Sequence, residues 1–278
     1  VKKKILSDFI PGKLETYIYN DESYYNEYRD SLFATTMKIA GWDCIRHYEI
    51  LANGCIPYFP NIEKCPPLTM ALLPKNLIIE GNNLYTLYKH RQGIDEMNEE
   101  ELNTCNILID KLLNYTRNHL TNQHVAAYIL NTTNNSNISS ILYLSGSEFP
   151  DYLRCTILAG FKELLGKKCH EYPKIHHIYK SNVMNYKLLY GKGYTYTNLL
   201  CPSLRDDELD NTMEQDIKNK KYDLIIYGSM HRGIPYYDMA SKLYPANKII
   251  FLCGEDIHFC NYQQICNKGH YVFVRELE

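Results

Sequence analysis

The second half of the sequence repeats a rhythm that leaves few folds open. Continuously apolar runs in "ISSILYLSGSE", "KYDLIIYGSMHRG" and "NKIIFLCGED" each end in a loop of small and charged residues. Helical stretches alternate with them: "PDYLRCTILAGFKELLG", closed by Gly166, and "IPYYDMASKLY". A strand that is apolar at every position is buried on both faces, and the alternating helices supply the covering layers. The expectation is an α/β protein with parallel sheets. Ligands of such sheets bind outside the carboxyl ends of the strands, where these loops fall.

The chain has 278 residues, 45% hydrophobic, enough for two cores at roughly 100–200 residues per domain. Three segments are expected: a Rossmann-like lobe over 1–94, a linking helix over 95–122, and a second Rossmann-like lobe over 123–278. In the first lobe "DESYYNEYRDSLFATTMKIAG" predicts one helix. Tyr24, Tyr28 and Leu32 recur at helical spacing, Asp21 or Ser23 caps its start, and Gly41 ends it. Residues 44–52 predict a short helix capped by Asp43 and stopped at Asn53-Gly54. Residues 55–59 predict a buried strand, 68–72 a short helix and 76–79 another strand. "DEMNEEELNTCNILIDKLLNYTRNHL", 95–120, is the clearest helix, with an acidic start and a basic end that suit the helix dipole.

Composition removes several classes. The net charge is −2, from 30 basic and 32 acidic residues, so no extended nucleic-acid surface is expected. None of the ten cysteines forms a Cys-x-x-Cys pair, and Cys253, Cys260 and Cys266 stand seven and six residues apart. Free thiols in a reducing, cytoplasmic compartment are therefore expected. No leader-like segment and no apolar run of about 18 residues is present, so no membrane span is expected. The 26 tyrosines are assigned no function as a group.

The stretch "GWDCIRHYEILANGCIPYF", 41–59, crowds polar groups before a buried strand. Arg46 falls in the first turn of the expected helix, where free N–H groups already favour an anion. A guanidinium there makes a phosphate site with bidentate reach. Glu49, three residues on, is placed to accept hydrogen bonds from sugar hydroxyls. Gly54 permits a sharp turn, and Pro57 marks a strand edge or bulge. Lys38 and Lys75 add positive charge from neighbouring loops. The plainer alternative is a surface helix with an Arg–Glu pair and an interfacial Trp42.

This stretch, followed by "CPPLTM" and "LPKNLI", resembles the donor-binding core of GT-B glycosyltransferases, especially exostosin-like ones. About 40 residues match closely and the first 90 loosely. The resemblance implies two Rossmann-like lobes with a cleft between them and a nucleoside-diphosphate sugar, UDP- or GDP-linked, as co-substrate, with no obligatory metal. It implies that Arg46 contacts the diphosphate, that Glu49 contacts the ribose or sugar, and that Gly54, Cys55 and Pro57 shape the floor. Lys38, Trp42 and Asp43 complete the donor-side candidates. In GT-B enzymes the donor lobe is usually the second, and here it comes first. The chain is then either circularly permuted or a fragment of a longer repeat.

Three loops of the second lobe hold candidate chemistry: Ser145, Gly146, Ser147, Glu148 and Asp151; Ser229, His231 and Arg232; Glu255, Asp256 and His258. Inverting glycosyl transfer needs a base for the acceptor hydroxyl, a glycan or a smaller molecule, and His231, Asp151, Glu255 and Asp256 are the candidates. Arg46 and Arg232 are candidates for the phosphate charge, and the loop serines, Gly146 and His258 for lining. Retention would need no base in this role. No metal is expected: Asp256 and His258 stand two apart with no partner motif, and "DDELD", 206–210, reads as a solvated loop. His170, His176 and His177 read as surface or core histidines, and "GKGYTY" lacks the ending of a P-loop. The rival functions are a non-catalytic nucleotide-sugar or glycan-binding module and another Rossmann-type enzyme, the latter without a Gly-x-Gly-x-x-Gly after a strand.

Overall fold

The computed structural model describes residues 2–147, 151–181, 189–256 and 260–277. Two compact units divide the chain. The first runs to Leu120 and takes the chain back from Glu276; the second is continuous from Thr121 to Arg275.

The first unit is built on three parallel strands, β1 (Lys4–Leu6), β2 (Ser31–Thr35) and β3 (Ile56–Tyr58), in that order across the sheet. Helices α1 (Asp21–Asp30) and α2 (Ile45–Ala52) connect them. Helices α3 (Lys75–Tyr88) and α4 (Glu99–His119) follow β3. Leu32, Phe33, Leu51, Ile56, Phe59, Ile78, Cys105, Leu108 and Leu112 share one core, and α4 lies within this unit. Asn98 and Glu101 close the start of α4 as a reciprocal capping box.

Three expectations fail here. The helix predicted over 21–41 ends at Asp30, and residues 31–35 are strand β2, with Leu32, Phe33 and Ala34 wholly buried. Its N-cap is Asn20, which accepts from the Ser23 N–H. Conversely, the strand predicted over 76–79 is the first turn of α3, and 68–72 forms turns with no helix. Short apolar runs such as "SLFA" and "NLII" carry no period of their own, so burial decides their state. The other elements stand close to expectation. Helix α2 begins one residue late, with Cys44 as N-cap, and Gly54 turns the chain at φ +64°. Pro57 lies in β3, an edge strand.

The second unit holds five parallel strands: β4 (Ile141–Ser145), β5 (Cys169–Tyr172), β6 (Leu224–Ser229), β7 (Ile249–Cys253) and β8 (Tyr271–Val274). Their order across the sheet is β5-β4-β6-β7-β8. The first strand therefore sits inside, and winding reverses between β4 and β6. Helices α5 (Asn122–Thr132), α6 (Tyr152–Leu165), α7 (Met213–Lys218), α8 (Tyr237–Leu243) and α9 (Tyr262–Cys266) connect or flank them. Leu142, Leu144, Ile225, Tyr227, Ile249 and Phe251 pack on Met213 and Ile217 of α7 and Ala240 of α8. Tyr143 meets Phe161 of α6, their ring centres 6.1 Å apart. Both faces of β4, β6 and β7 are thus buried, as their unbroken apolar sequences require.

Helix α5 has no counterpart among the expected elements. It packs against α6 at Gly160, where a Cβ would stand 2.0 Å from the Asn122 carbonyl oxygen. The expectation of free thiols is corrected at one place: Cys253 and Cys260 are joined as a disulfide, while the other eight cysteines are free. The spacing of seven residues gave no hint, because the pairing depends on where β7 ends. No described helix is long and apolar enough to cross a membrane.

Candidate active site

The winding reverses between β4 and β6, and the carboxyl ends of strands at such a reversal are the usual ligand position in a doubly wound sheet. Described residues that follow β4, β6 and β7 meet there. Gly146 makes the convergence possible: a Cβ at this residue would fall 1.9 Å from the Arg232 carbonyl oxygen. Gly254 likewise leaves room for the His231 ring, whose Cε1 would be 3.3 Å from an added Cβ.

Asp151 is the hub. It caps α6 by accepting from the Arg154 N–H through Oδ1 at 3.2 Å. Its Oδ2 accepts from Ser229 Oγ at 2.9 Å and Arg232 Nε at 3.2 Å, and faces His231 Nε2 at 3.5 Å. Burial alone would raise the Asp151 pKa. His231, the Arg154 N–H, Ser229 and Arg232 together outweigh burial and hold it well below the ordinary carboxylate range. A carboxylate held in this way orients its neighbours and is a weak proton acceptor.

His231 is 14% exposed at its side chain, and its Nδ1 is buried with no hydrogen-bond partner among the described residues. Glu255 Oε1 stands 3.9 Å from Nε2. With the Nε2–H directed at Asp151, the Nδ1 lone pair is the atom left to take a proton. Asp256 is engaged elsewhere, in an ion pair with Arg275. Ser145 Oγ accepts from Arg154 Nη1 at 2.5 Å, and the Ser147 carbonyl accepts from the same nitrogen. Arg154 is wholly buried and was not among the sequence candidates. The signal available was a lone arginine in the otherwise apolar turn "YLRCTILAG". Glu148 and His258 lie outside the described residues.

A second polar pair lies beneath, between Cys155 of α6 and His177, with Sγ 3.3 Å from Nε2. Burial pushes the thiol up to about 12, and burial, then Arg154 and His176, push the ring down to about 4. Both groups are neutral and closed from solvent, so the pair is a core contact and not a nucleophile.

The donor candidates of the first unit gather around α2. The side chain of Arg46 is partly buried near Tyr17, and its Nη1 has no partner among the described residues. Glu49 is 3% exposed and accepts from the Tyr24 hydroxyl at 2.7 Å. It faces into the protein, which is unlike the sugar-facing role expected of it. Lys75 donates to the carbonyls of Pro66, Pro67 and Thr69 and so closes a loop instead of adding free charge. Lys38 Nζ lies 5.1 Å from the centre of the Trp42 ring. The N–H groups of Trp42 and Asp43 both donate to Glu276, at 2.9 and 2.8 Å, and Asp43 Oδ1 accepts from the Tyr48 hydroxyl. Gly54 faces Leu113 of α4, and its carbonyl accepts from Lys2 Nζ.

No group of three or more His, Cys, Asp or Glu fit to hold a metal occurs among the described residues. The "DDELD" loop departs from its solvated reading, because Asp210 lies 3.1 Å from Lys174 Nζ and 3.2 Å from His170 Nε2. The chain matches no protein-family model, no curated protein and no solved structure.

Proposed function

We propose that this chain is a glycosyltransferase of GT-B type. It moves a sugar from a UDP- or GDP-linked donor to a hydroxyl acceptor, without an obligatory metal. The observation that carries the reading is His231, its Nε2 directed at Asp151 and its Nδ1 buried and unpartnered. Nδ1 takes the proton of the acceptor hydroxyl as that oxygen bonds to the anomeric carbon. The bond from that carbon to the diphosphate oxygen breaks, and its electron pair leaves with the diphosphate. Asp151 stabilises the imidazolium that forms. This chemistry inverts the anomeric centre.

On the donor side, the support is Arg46, with a buried, unpartnered Nη1 in the first turn of α2. A diphosphate satisfies that group and the helix terminus together. The first unit is then the donor lobe and the second the acceptor lobe, an order permuted from that usual in GT-B enzymes. The second reading, a non-catalytic nucleotide-sugar or glycan-binding module, is favoured by Glu49 and Lys75, both engaged inside the protein.

The test combines nucleotide-dependent thermal shifts with diphosphate release from UDP- and GDP-sugars. A nucleotide at ~100 times its dissociation constant adds roughly 2.7 kcal/mol and raises Tm. His231→Ala is expected to keep that shift and lose about 10²-fold or more of turnover. Arg46→Ala is expected to lose the shift. A shift without turnover favours a nucleotide-sugar-binding module, a shift that needs Mg²⁺ overturns the metal-free site, and no shift with any nucleotide overturns the glycosyltransferase and leaves the glycan-binding module.

A further inference from the structure

The disulfide joins Cys253, the last residue of β7, to Cys260. Exposure does not select this pair. Cys201 and Cys266 are the exposed cysteines and both are free, whereas Cys253 is 1% exposed. Position in the fold selects it, and the position is beside His231.

Both ends of the bridge bear on the turn that carries His231. Cys260 Sγ lies 3.9 Å from Sδ of Met230, the residue before His231. Directly after Cys253, Gly254 makes room for the His231 ring, and Glu255 Oε1 stands 3.9 Å from Nε2. Asp256 pairs with Arg275, whose N–H donates to the Cys253 carbonyl at 3.0 Å. The turn itself is a single 3₁₀ turn, Met230–Arg232, ended by Gly233 at φ +118°. So short a turn has little hydrogen bonding of its own, and its neighbours fix it. A covalent link to the end of a buried strand keeps Cys260 against Met230. Two separate thiols are under no such constraint.

We propose that the Cys253–Cys260 bridge is a redox latch on the candidate active site. Joined, it holds the His231 turn in place; as two thiols, it lets the turn loosen. The reductant is a dithiol or a pair of small-molecule thiols. A thiolate attacks Sγ of Cys260, the half-buried end. The sulfur–sulfur bond breaks and its electron pair leaves on Cys253, which takes a proton. A second thiolate then releases Cys260 as a thiol, and the reductant departs as its own disulfide. Two electrons and two protons have passed to the protein. A small-molecule disulfide runs the exchange backwards. Only the effect on turnover rests on the glycosyltransferase reading; the latch does not.

Hydrogen exchange read by mass spectrometry tests this on the whole chain, after oxidised glutathione and after dithiothreitol. A non-reducing peptide map should show the Cys253–Cys260 crosslink in the first sample and two thiols in the second. Reduction should speed exchange across 229–233 about tenfold or more, as local opening becomes easier. Exchange in the first unit should stay as it was. Cys260→Ser, a change at a half-buried position that leaves β7 intact, should exchange fast in both conditions. Cys201→Ser/Cys266→Ser, which removes the exposed free thiols, should respond as the native chain does. Absence of the crosslink overturns the proposal. So does equal exchange of 229–233 in the two samples, or a response to reductant that persists in Cys260→Ser. Diphosphate release from UDP- or GDP-sugars should fall severalfold on reduction and return on reoxidation. No release in either form counts against the glycosyltransferase reading alone, since the crosslink and exchange measurements need no donor.

Discussion

His47 is wholly buried, with Nδ1 2.8 Å from Thr36 Oγ1 and Nε2 2.8 Å from the Trp42 carbonyl. Burial is the main cause that pushes it down to about 4. The unfolded chain therefore binds a proton near pH 6.5 that the folded chain refuses, and stability falls as pH drops from about 6.5 to 4. The full effect is on the order of 3 kcal/mol. His47→Gln, which cannot titrate, should show a shallower loss of Tm across that window, and an unchanged slope would count against the assignment. Glu49 makes a second case. Tyr24→Phe removes a hydroxyl from a buried carboxylate and should cost about 1–3 kcal/mol in denaturant unfolding. Glu49→Ala should likewise lower stability, so it tests donor binding less cleanly than Arg46→Ala. At this scale the sequence displayed the loop residues Asp151, Ser229, His231 and Arg232, because each follows an unmistakable strand. It hid the division of labour among them: Asp151 is a hub because α6 starts there, and Arg154 is buried against Ser145 and Ser147 at the end of β4. Neither fact is written in spacing.

Among elements, the contact of α5 with α6 rests on an absent side chain. A Cβ at Gly160 would enter the Asn122 backbone, so the helices must separate to admit it. Gly160→Ala should destabilise the second unit by about 3 kcal/mol, read as a lower midpoint in urea. An unaffected midpoint would mean that α5 moves freely. The strands of the second unit were legible because each is apolar throughout and followed by loop residues. The first unit was less so. In "SLFAT" and "NLII" the local signal is the same short apolar run, yet one becomes β2 and the other opens α3. Pairing with β1 and β3 decides the first. In the second case Asn82, farther along α3, bonds both the N–H and the carbonyl of Phe59 and anchors the helix beside β3. Such long-range partners are invisible to a local window.

Across the whole molecule, the last described residues rejoin the first unit. Glu276 accepts from Trp42 and Asp43, and the Leu277 carbonyl accepts from Thr69 Oγ1 at 2.6 Å. Trp42 is the one tryptophan in the chain, so its fluorescence reports on this unit. Truncation after Arg275 should lower the midpoint of the tryptophan-detected transition, since three hydrogen bonds near Trp42 are lost, two of them to a carboxylate. An identical transition would show that these contacts add nothing. The same return has a consequence for biosynthesis. Every residue of the second unit leaves the ribosome before Glu276 does. The second unit has its complete chain first, and the first unit waits, short of one carboxylate, until Glu276 is delivered. Domains usually mature in the order they are translated; here, of the two units, the one begun earlier is completed later.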